Sequence, residues 1–247
     1  MESPRQQIPK RIMQTWKTTT IPDKWKSSQE AVLRLMPDYQ YTLLTDSDNE
    51  KLVREHFPNF LDKWNNFRYP IQKADAIRYM WLYLHGGFYL DLDLEPQDRF
   101  DFLLNQGELL LLPSANNISC LTNSFMASAP RHPFWLEVLE AIGQDRPIWA
   151  QGKFFEVMYT TGPSMLNKVA KESRHNFTSL SPRLIGSPSV CTYQVTITGS
   201  LFKALEGGSW LPDWFIPLMQ FFRCSKPYIL KLGLVILLLF VLILLLI

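Results

Sequence analysis

The sequence predicts an α/β domain over residues 1–222 and a membrane helix after it. Two observations predict the domain: strand-like and helix-like apolar patterns alternate along it, and no linker rich in Gly or Ser divides it. A third observation predicts the membrane helix, because residues 232–247 contain no polar side chain. A chain of 247 residues is long enough for one large domain with a sizeable core.

The first elements predict a β-α-β unit. RIMQTW (11–16) and YQYTLLT (39–45) have the composition of short strands. Between them, SQEAVLRLM (28–36) has apolar residues at helical spacing, and Pro37 ends that pattern.

Two further helices follow. The first is predicted over residues 48–56, with Ser47 or Asp46 available as its N-terminal cap. The second, ADAIRYMWLYLH (74–85), has large apolar residues at helical spacing and is ended by the pair Gly86 and Gly87.

The remaining elements alternate in type. They are predicted as a buried strand at 107–113, a turn and helix at 127–142, a helix at 161–171 and a strand at 193–198. Such a sheet binds its ligand at the carboxyl ends of its strands. The acidic stretch that follows helix 74–85 is therefore expected near this edge.

That stretch, GGFYLDLDLEP (86–96), has a carboxylate at every second position. In a strand, Asp91, Asp93 and Glu95 would line one face. Two carboxylates about 6 Å apart repel by about 2 to 3 kcal/mol at an effective dielectric near 20. Water or a cation is therefore expected to reduce this repulsion. Mg²⁺ or Mn²⁺ suits such a pair, while a solvated acidic edge is the alternative. Asp91 and Asp93 are the candidate ligands, and Glu95 is expected at the rim.

The preceding helix predicts two more site residues. Asp75 and Arg78 are three residues apart and share a face, and the short Gly-Gly connection folds this helix back beside the acidic stretch. Arg78 could contact a phosphate, and Asp75 could accept hydrogen bonds from sugar hydroxyls. The alternative is an ion pair within the helix.

The C-terminal segment 228–247 is 20 residues long, enough to span a bilayer as a helix, and a very hydrophobic core helix is the alternative. Aromatic residues collect just before it: Trp210, Trp214, Phe215, Phe221 and Phe222. Basic residues between this collar and the segment favour a cytosolic catalytic side, whereas the sequons at Asn117 and Asn176 would matter only in a lumen. The orientation in the membrane stays open.

Composition excludes several other classes. The net charge of +2 and the scattered basic residues give no nucleic-acid surface. Three distant cysteines give neither a disulfide framework nor zinc spacing. The N-terminus lacks the apolar stretch of a signal peptide.

The stretch KADAIRYMWLYLHGGFYLDLDLEP (73–96) resembles the signature of glycosyltransferase family 32, whose sugar-transferase region contains a DXD motif. Further segments follow in that family's order: IPKRIMQTWK, MPDYQYTLLTD, NSFMASAPRHPFW, TTGPSML and GGSW. The resemblance covers roughly residues 8–211 and is strongest to the fungal inositol phosphorylceramide mannosyltransferases. It implies a GT-A fold, which is a Rossmann-like nucleotide-sugar-binding fold, and a retaining, metal-dependent transferase.

The resemblance also implies roles for individual residues. Asp93 would bind Mn²⁺ or Mg²⁺ directly, and Asp91 would contact the donor ribose or sugar and help to hold the metal through water. Asp75 and Arg78 would hold the donor sugar and phosphate.

Three more residues would complete the donor site. Trp16 would lie near the nucleotide base, while Ser209 and Trp210 would close over the diphosphate. The indole of Trp210 would donate a hydrogen bond to the leaving group, although packing in the core or in the membrane belt explains a Trp at this position equally well.

Two positions depart from the family pattern. Met13 and Leu211 stand where the family commonly has His, which puts catalytic strength in doubt. His85, His132 and His175 are expected to be structural or solvated rather than replacements.

The function predicted is transfer of mannose from GDP-mannose to a membrane-held acceptor, such as an inositol phosphosphingolipid or a glycan, in the Golgi or the endoplasmic reticulum. One alternative is a membrane-tethered module that binds a nucleotide sugar with little or no turnover. The other is a phosphatase of the haloacid-dehalogenase type, in which an Asp-x-Asp also follows an apolar strand. That class requires a downstream acidic pair and a Lys, for which the sequence offers no candidate.

Overall fold

The computed structural model describes residues 7–114, 117–144, 147–185, 199–212, 214–215, 233 and 236–237, and a six-stranded mixed sheet forms its centre. The described strands, in chain order, are β1 (Arg11–Thr15), β2 (Gln40–Leu44), β3 (Gly87–Leu90), β4 (Leu94–Pro96), β5 (Leu109–Ser114), β6 (Asn117–Ser128), β7 (Thr178–Ser179) and β8 (Phe202–Ala204). The described helices are α1 (Asp23–Leu35), α2 (Asp46–His56), α3 (Leu61–Asn65), α4 (Pro70–His85), α5 (Phe134–Ala141), α6 (Lys153–Thr160) and α7 (Pro163–Glu172). Short 3₁₀ helices lie at Pro58–Phe60, Asp101–Asn105 and Pro182–Leu184.

The central sheet has the order β2-β1-β3-β6-β5-β7. Strands β2, β1 and β3 are parallel, whereas β6 runs antiparallel to both of its neighbours. The carboxyl ends of the three parallel strands therefore meet at one edge, as predicted. A separate two-stranded sheet pairs β4 with β8 in antiparallel register.

Each face of the central sheet is covered by its own apolar core. Neighbouring residues of a strand belong to opposite cores, as with Ile12 and Met13 in β1 or Phe88 and Tyr89 in β3. Helices α4, α5 and α7 pack on the Met13 side, and α1 and Phe202 pack on the other. Strands buried on both faces are typical of α/β sheets.

Helix α4 crosses the Met13 side and carries most of the predicted site. It begins at Pro70, whose fixed φ suits a first helical turn, and so extends four residues further towards the N-terminus than predicted. The helix ends at Gly86, where φ is 64°. Gly87 follows at φ 93° and starts β3, so the chain reverses within two residues.

Several predictions are confirmed and several are wrong. The mixed α/β fold, strands β1, β2 and β5, and helices α1, α2, α4, α5 and α7 are confirmed with shifted ends. Strands β6, β7 and β8 and helices α3 and α6 were not predicted. The cap of α2 is Thr45, not Ser47 or Asp46; its side chain and that of Asp48 form a reciprocal capping box.

The acidic stretch is not one continuous strand. Strand β3 ends at Leu90, and the next three residues form a turn in which the backbone N–H of Leu94 donates to the carbonyl of Asp91 (3.1 Å). Strand β4 begins at Leu94 and contains Glu95, whereas Asp91 and Asp93 lie in the turn before it.

Two predictions lie largely outside the described residues. The strand at 193–198 does so completely, and of the segment 228–247 only residues 233, 236 and 237 are described. In the described part of the chain, no helix is both long and apolar enough to cross a bilayer.

We expect Gly87→Ala to lower the free energy of unfolding by about 3 kcal/mol, because it adds an unfavourable positive φ and a steric clash. A Cβ at Gly87 would lie 2.5 Å from the carbonyl oxygen of Arg11 in the neighbouring strand. Gly143→Ala is the matched control: φ there is 76°, but the nearest atoms are side-chain carbons of Lys63 at 3.7 Å or more. The control should lose only about 1 kcal/mol. Urea unfolding of both variants measures the difference, and equal losses would contradict the close approach of β3 to β1.

Candidate functional site

A cavity of about 600 Å³ lies at the carboxyl ends of β1, β2 and β3. Its walls come from the residues just after these strands, from α4, from α6 and from residues 208–212. All seven predicted site residues line it: Trp16, Asp75, Arg78, Asp91, Asp93, Ser209 and Trp210. The structure thus brings together residues that lie far apart in the sequence.

Arg78 joins helix α4 to the acidic turn. Its Nη1 donates to Oδ1 of Asp91 (3.0 Å) and to the carbonyl oxygen of Asn123 in β6 (2.9 Å), and its Nη2 lies 3.3 Å from Oδ1 of Asp75. The guanidinium lies over the ring of Tyr89, 4.4 Å from the centroid. Burial opposes the charge of Arg78, yet the neighbouring carboxylates, Asp91 first, leave its pKa above the ordinary value, so it stays charged.

The ion pair between Asp75 and Arg78, considered as the alternative to a role at the site, is present, but it is part of this larger network. Asp75 is buried, and its two oxygens accept hydrogen bonds from Nδ2 of Asn123 (2.8 Å) and from the hydroxyl of Thr161 (2.9 Å). Burial raises the pKa of Asp75, while Arg78, Thr161 and Asn123 oppose that rise. Most of its bonding capacity is already used within the protein.

Asp91 is held on one oxygen. Its Oδ1 accepts from Arg78 and also from the hydroxyl of Tyr89, which makes a short hydrogen bond to it. Its backbone N–H donates to the carbonyl oxygen of Ser124 in β6 (2.8 Å), which continues the sheet by one residue. Asp91 is therefore fixed by backbone and side chain alike.

Asp93 is less engaged. Among the described residues no side chain donates a hydrogen bond to its carboxylate, although its carbonyl oxygen accepts from the backbone N–H of Leu205 (2.7 Å). Burial, and next the charge of Asp91, raise the pKa of Asp93 to about 7. A Cβ at Gly207 would lie 2.2 Å from Oδ2 of Asp93, so glycine keeps the space around this oxygen open.

Two tryptophans form the wall at the end of β1. Trp16 meets Trp25 of α1 edge to face, with ring centroids 5.0 Å apart. The indole N–H of Trp25 donates to the carbonyl oxygen of Glu206 (2.8 Å), which ties α1 to the segment after β8. Trp16 lines the cavity, where an aromatic ring could stack on a base.

Ser209 and Trp210 line the cavity from the segment after β8. The indole of Trp210 stacks on Phe154 of α6 with ring centroids 6.0 Å apart. The backbone carbonyl oxygen of Trp210 accepts a short hydrogen bond from Lys153. Trp210 is partly exposed and borders the cavity, so packing and a role at the site are both compatible with its position. Ser209 is exposed.

The other residues singled out from the sequence lie elsewhere, with one exception. Glu95 accepts a hydrogen bond from Ser27 (2.6 Å) and does not line the cavity. Met13 is fully buried in the core and does not line it either, whereas Leu211 does. The concern about a missing imidazole therefore applies to Leu211 alone.

None of the three histidines considered as replacements lines the cavity. His85 packs on Trp81 at the end of α4, with ring centroids 5.5 Å apart, and burial lowers its pKa. His132 and His175 meet edge to face at 5.9 Å, and His175 lies 3.5 Å from a carboxylate oxygen of Glu137. Their surroundings agree with structural positions.

The acidic turn fits a hard divalent cation. Asp91 and Asp93 offer the carboxylate oxygens that Mg²⁺ and Mn²⁺ prefer. In the described part of the chain, no three His, Cys, Asp or Glu side chains form a cluster that could hold a metal by themselves. Two carboxylates suffice for a metal that takes its other ligands from water and phosphate, which is the usual arrangement for nucleotide-bound Mg²⁺.

The sequence did not reveal four residues of this network. Asn123 bonds Asp75 and also the hydroxyl of Tyr79, Thr161 bonds Asp75, Tyr89 bonds Asp91, and Lys153 lines the cavity. Asn123 and Thr161 lie within segments that carry the family resemblance, NSFMASAPRHPFW and TTGPSML, and this was the only signal for them.

Comparison with known proteins finds one matching family profile. Residues 22–110 match the glycosyltransferase sugar-binding region containing a DXD motif. The match contains Asp75, Arg78 and both aspartates of the turn, and it ends before β6, α6 and the segment with Ser209 and Trp210.

Several fungal proteins are similar over most of this chain. Two mannosyl phosphorylinositol ceramide synthases of Saccharomyces cerevisiae, CSH1 and SUR1, are 35% and 37% identical over 85% and 84% of this chain. Inositol phosphoceramide mannosyltransferase 3 of Schizosaccharomyces pombe is 34% identical over 82% of it. These matches cover 54%, 53% and 56% of the relatives, so this chain spans about half their length.

A solved structure shows a similar fold. The ligand-free glycosyltransferase domain of the YGT toxin superposes with a TM-score of 0.50 over 71% of this chain and 80% of that domain, at 10% identity. At this identity the likeness concerns the fold alone, and it agrees with the GT-A-like fold that the resemblance implied.

We expect Asp93→Asn to stabilise the metal-free protein at pH 8. The folded pKa near 7 lies above the ordinary value of about 4, so the folded state binds a proton more tightly than the unfolded state between these values. Wild-type stability should therefore fall as the pH rises from about 4 to 7, and the amide removes this loss. With a chelator present, the melting temperature of the variant should exceed that of wild type by about 3 °C or more at pH 8 and by little at pH 4.5.

Glu95→Gln is the control of opposite sign. Burial disfavours the charge of Glu95, but hydrogen bonds from Ser27 and Gln97 leave its pKa below the ordinary value. Its charged form is therefore favoured by folding, and the amide should lower the melting temperature at pH 8. A lower melting temperature for Asp93→Asn at pH 8 would contradict the raised pKa.

Proposed function

Because the chain belongs to the family of glycosyltransferases with a DXD-containing sugar-binding region, we propose that it transfers mannose from GDP-mannose with retention of configuration. The proposed acceptor is an inositol phosphosphingolipid held in a membrane. The names of the similar fungal proteins support both the sugar and the acceptor class. The observation that carries the proposal is the convergence of all seven predicted residues on one cavity, with Arg78 bonded to the acidic turn.

In this proposal Asp91 and Asp93 hold Mn²⁺ or Mg²⁺. Bound there, the ion would neutralise charge on the diphosphate leaving group. Asp93 is the better candidate for a direct ligand, because Oδ1 of Asp91 already accepts two hydrogen bonds. Asp91 is left with Oδ2 for a ribose hydroxyl or a metal-bound water.

Asp75 and Arg78 act chiefly by positioning the acidic turn. Both are buried and bonded to protein groups, so their freedom to contact the donor is smaller than the resemblance implies. Arg78 fixes Asp91, and Asp75 fixes Arg78. The edges of both side chains that reach the cavity remain available to a sugar hydroxyl or a phosphate.

Trp16, Ser209 and Trp210 complete the proposed donor site. Trp16 offers a ring on which a guanine base can stack. Ser209 and Trp210 line the same cavity and can cover a diphosphate and exclude water from it. Lys153, held beside Trp210, adds a positive charge next to them.

A tethered module that binds a nucleotide sugar without turnover is the second candidate. Leu211 motivates it, since this side chain lines the cavity where the family commonly has an imidazole. Met13 no longer motivates it, because that position is buried away from the cavity. The comparisons give no support to a phosphatase.

We also propose that the protein acts at a Golgi or endoplasmic reticulum membrane, held by the apolar segment 228–247. The names of the relatives support a sphingolipid acceptor, and such a lipid resides in a bilayer. The apolar composition of residues 232–247 supports the anchor.

Donor profiling tests the proposed activity. The full chain is incubated with GDP-mannose, UDP-glucose or UDP-galactose, with Mn²⁺ or with a chelator, and release of the nucleoside diphosphate is measured. We expect GDP-mannose to be turned over fastest and the chelator to abolish turnover. Binding of GDP-mannose without release of GDP under any of these conditions would establish the non-catalytic module instead.

We expect Asp93→Ala to lower metal-dependent turnover by about 100-fold or more, because it removes the proposed direct ligand. Glu95→Ala is the matched control: it removes a carboxylate two residues away that bonds Ser27 and does not line the cavity. The control should change turnover by no more than about twofold. If Asp93→Ala kept full Mn²⁺-dependent turnover, the assignment of the metal site would be wrong.

A further inference from the structure

Seven aromatic rings form a continuous ridge that begins at the cavity. We call this set the aromatic ridge, and its members are Trp149, Phe154, Phe155, Tyr159, Trp210, Trp214 and Phe215. Trp210, at one end, lines the cavity. Three members of the ridge are large apolar side chains that face solvent: Trp149 is 64% exposed, Trp214 is 63% and Phe155 is 40%.

The ridge is assembled from two distant parts of the chain. Phe154 of α6 stacks on Trp210 and lies 5.1 Å from Phe215, measured between ring centroids. Phe155 of the same helix meets Trp149 edge to face at 5.8 Å. Helix α6 thus joins the turn at residues 148–149 to the aromatic collar that the sequence placed before the apolar segment.

The ridge is where exposed apolar side chains concentrate. Ile148, beside Trp149, is 91% exposed and extends the same surface. The other exposed large apolar side chains described before residue 216 are Leu33, Phe102 and Leu136, which belong to three different elements. Single exposed apolar residues are ordinary, but a contiguous exposed group marks an interaction surface.

We propose that the aromatic ridge rests on a lipid bilayer at the level of the headgroups. Trp and Phe on an otherwise polar domain are the residues that partition to this level. The chain itself limits the distance: residues 216–227, which are 12 residues, separate Phe215 from the apolar segment 228–247. Fully extended, they would span at most about 45 Å, so an embedded segment limits how far the ridge can lie from the membrane.

A cation lies between the ridge and the cavity. Lys153 Nζ is 6.0 Å from the centroid of the Trp210 ring and 5.6 Å from that of Tyr69. The guanidinium of Arg68 lies 5.3 Å from the Tyr69 centroid and is paired with Glu156 at 3.6 Å, so Lys153 carries the net positive charge here. Positive charge beside an inserted aromatic surface favours anionic headgroups. This arrangement would place the cavity against the headgroup layer, where a lipid acceptor presents its sugar. The inference rests on the proposed transfer to a membrane-held acceptor.

Contact quenching of tryptophan tests the ridge without any turnover. The full chain is reconstituted into phosphatidylcholine vesicles whose acyl chains do or do not carry bromine, which quenches nearby indoles. The apolar segment contains no Trp, so every quenched indole must lie in the domain. We expect wild type to be quenched, and the double variant Trp149→Phe, Trp214→Phe to lose most of this bromine-dependent quenching.

Phe102→Trp is the matched control, because it adds an exposed indole outside the ridge. Its additional emission should not be quenched by bromine. Equal quenching in wild type and in the double variant would overturn the inference. The absence of quenching in wild type would also overturn the inference. This holds whether sedimentation then shows that the ridge mediates self-association or the ridge is covered by residues 216–247.

A second measurement separates this inference from the proposed activity. The double variant Trp149→Ser, Phe155→Ser should raise the KM for a lipid acceptor in vesicles several-fold. The rate at which it hydrolyses the donor without acceptor should stay unchanged. Phe102→Ser should alter neither. Loss of quenching in the ridge variants together with no turnover in wild type would support the ridge and refute the transferase. Unchanged KM in the ridge variants would count against the ridge while leaving the transferase intact.

Discussion

The buried guanidinium of Arg78 is the interaction on which the site depends. Removing an arginine from water is costly, and the cost is offset here by Asp75, Asp91, two backbone carbonyl oxygens and the face of Tyr89. These partners come from α4, from β3 with the turn after it, and from β6. One positive charge thereby fixes the relative position of three elements. Without it, two carboxylates would face each other in a buried space.

This network also gives the two acids of the motif different surroundings. Asp91 is bonded on one oxygen and its backbone extends the sheet, so its position is determined by the fold. Asp93 lies beside Gly207, which adds no side chain next to its carboxylate. Its pKa is raised because neighbouring groups do not fully offset the cost of burying its negative charge. A cation or another positive charge would provide that compensation, which gives a physical reason for two identical side chains to do different things.

Local sequence patterns predicted the elements that contain the site, and long-range contacts account for what they missed. Helix α4 and strands β1 and β2 follow apolar periodicity, which is a local property. Strand β6 was missed because polar residues at 122–124 interrupt its apolar pattern, and its pairing with β5 is irregular at this point. The acidic turn was mistaken for strand, yet both aspartates still line the cavity, as the strand interpretation required. Asn123 and Thr161 are neutral residues whose roles exist only through contacts 48 and 86 residues away in the chain.

The small sheet of β4 and β8 has a consequence for how this fold can be inherited. Strand β4 follows the acidic turn directly, and its pairing partner β8 lies about a hundred residues later, beyond the end of the matched family region at residue 110. Leu205 and Gly207, just after β8, contact the backbone and carboxylate of Asp93. Recombination that moved only the matched region into another gene would therefore carry the motif without the strand that closes against it.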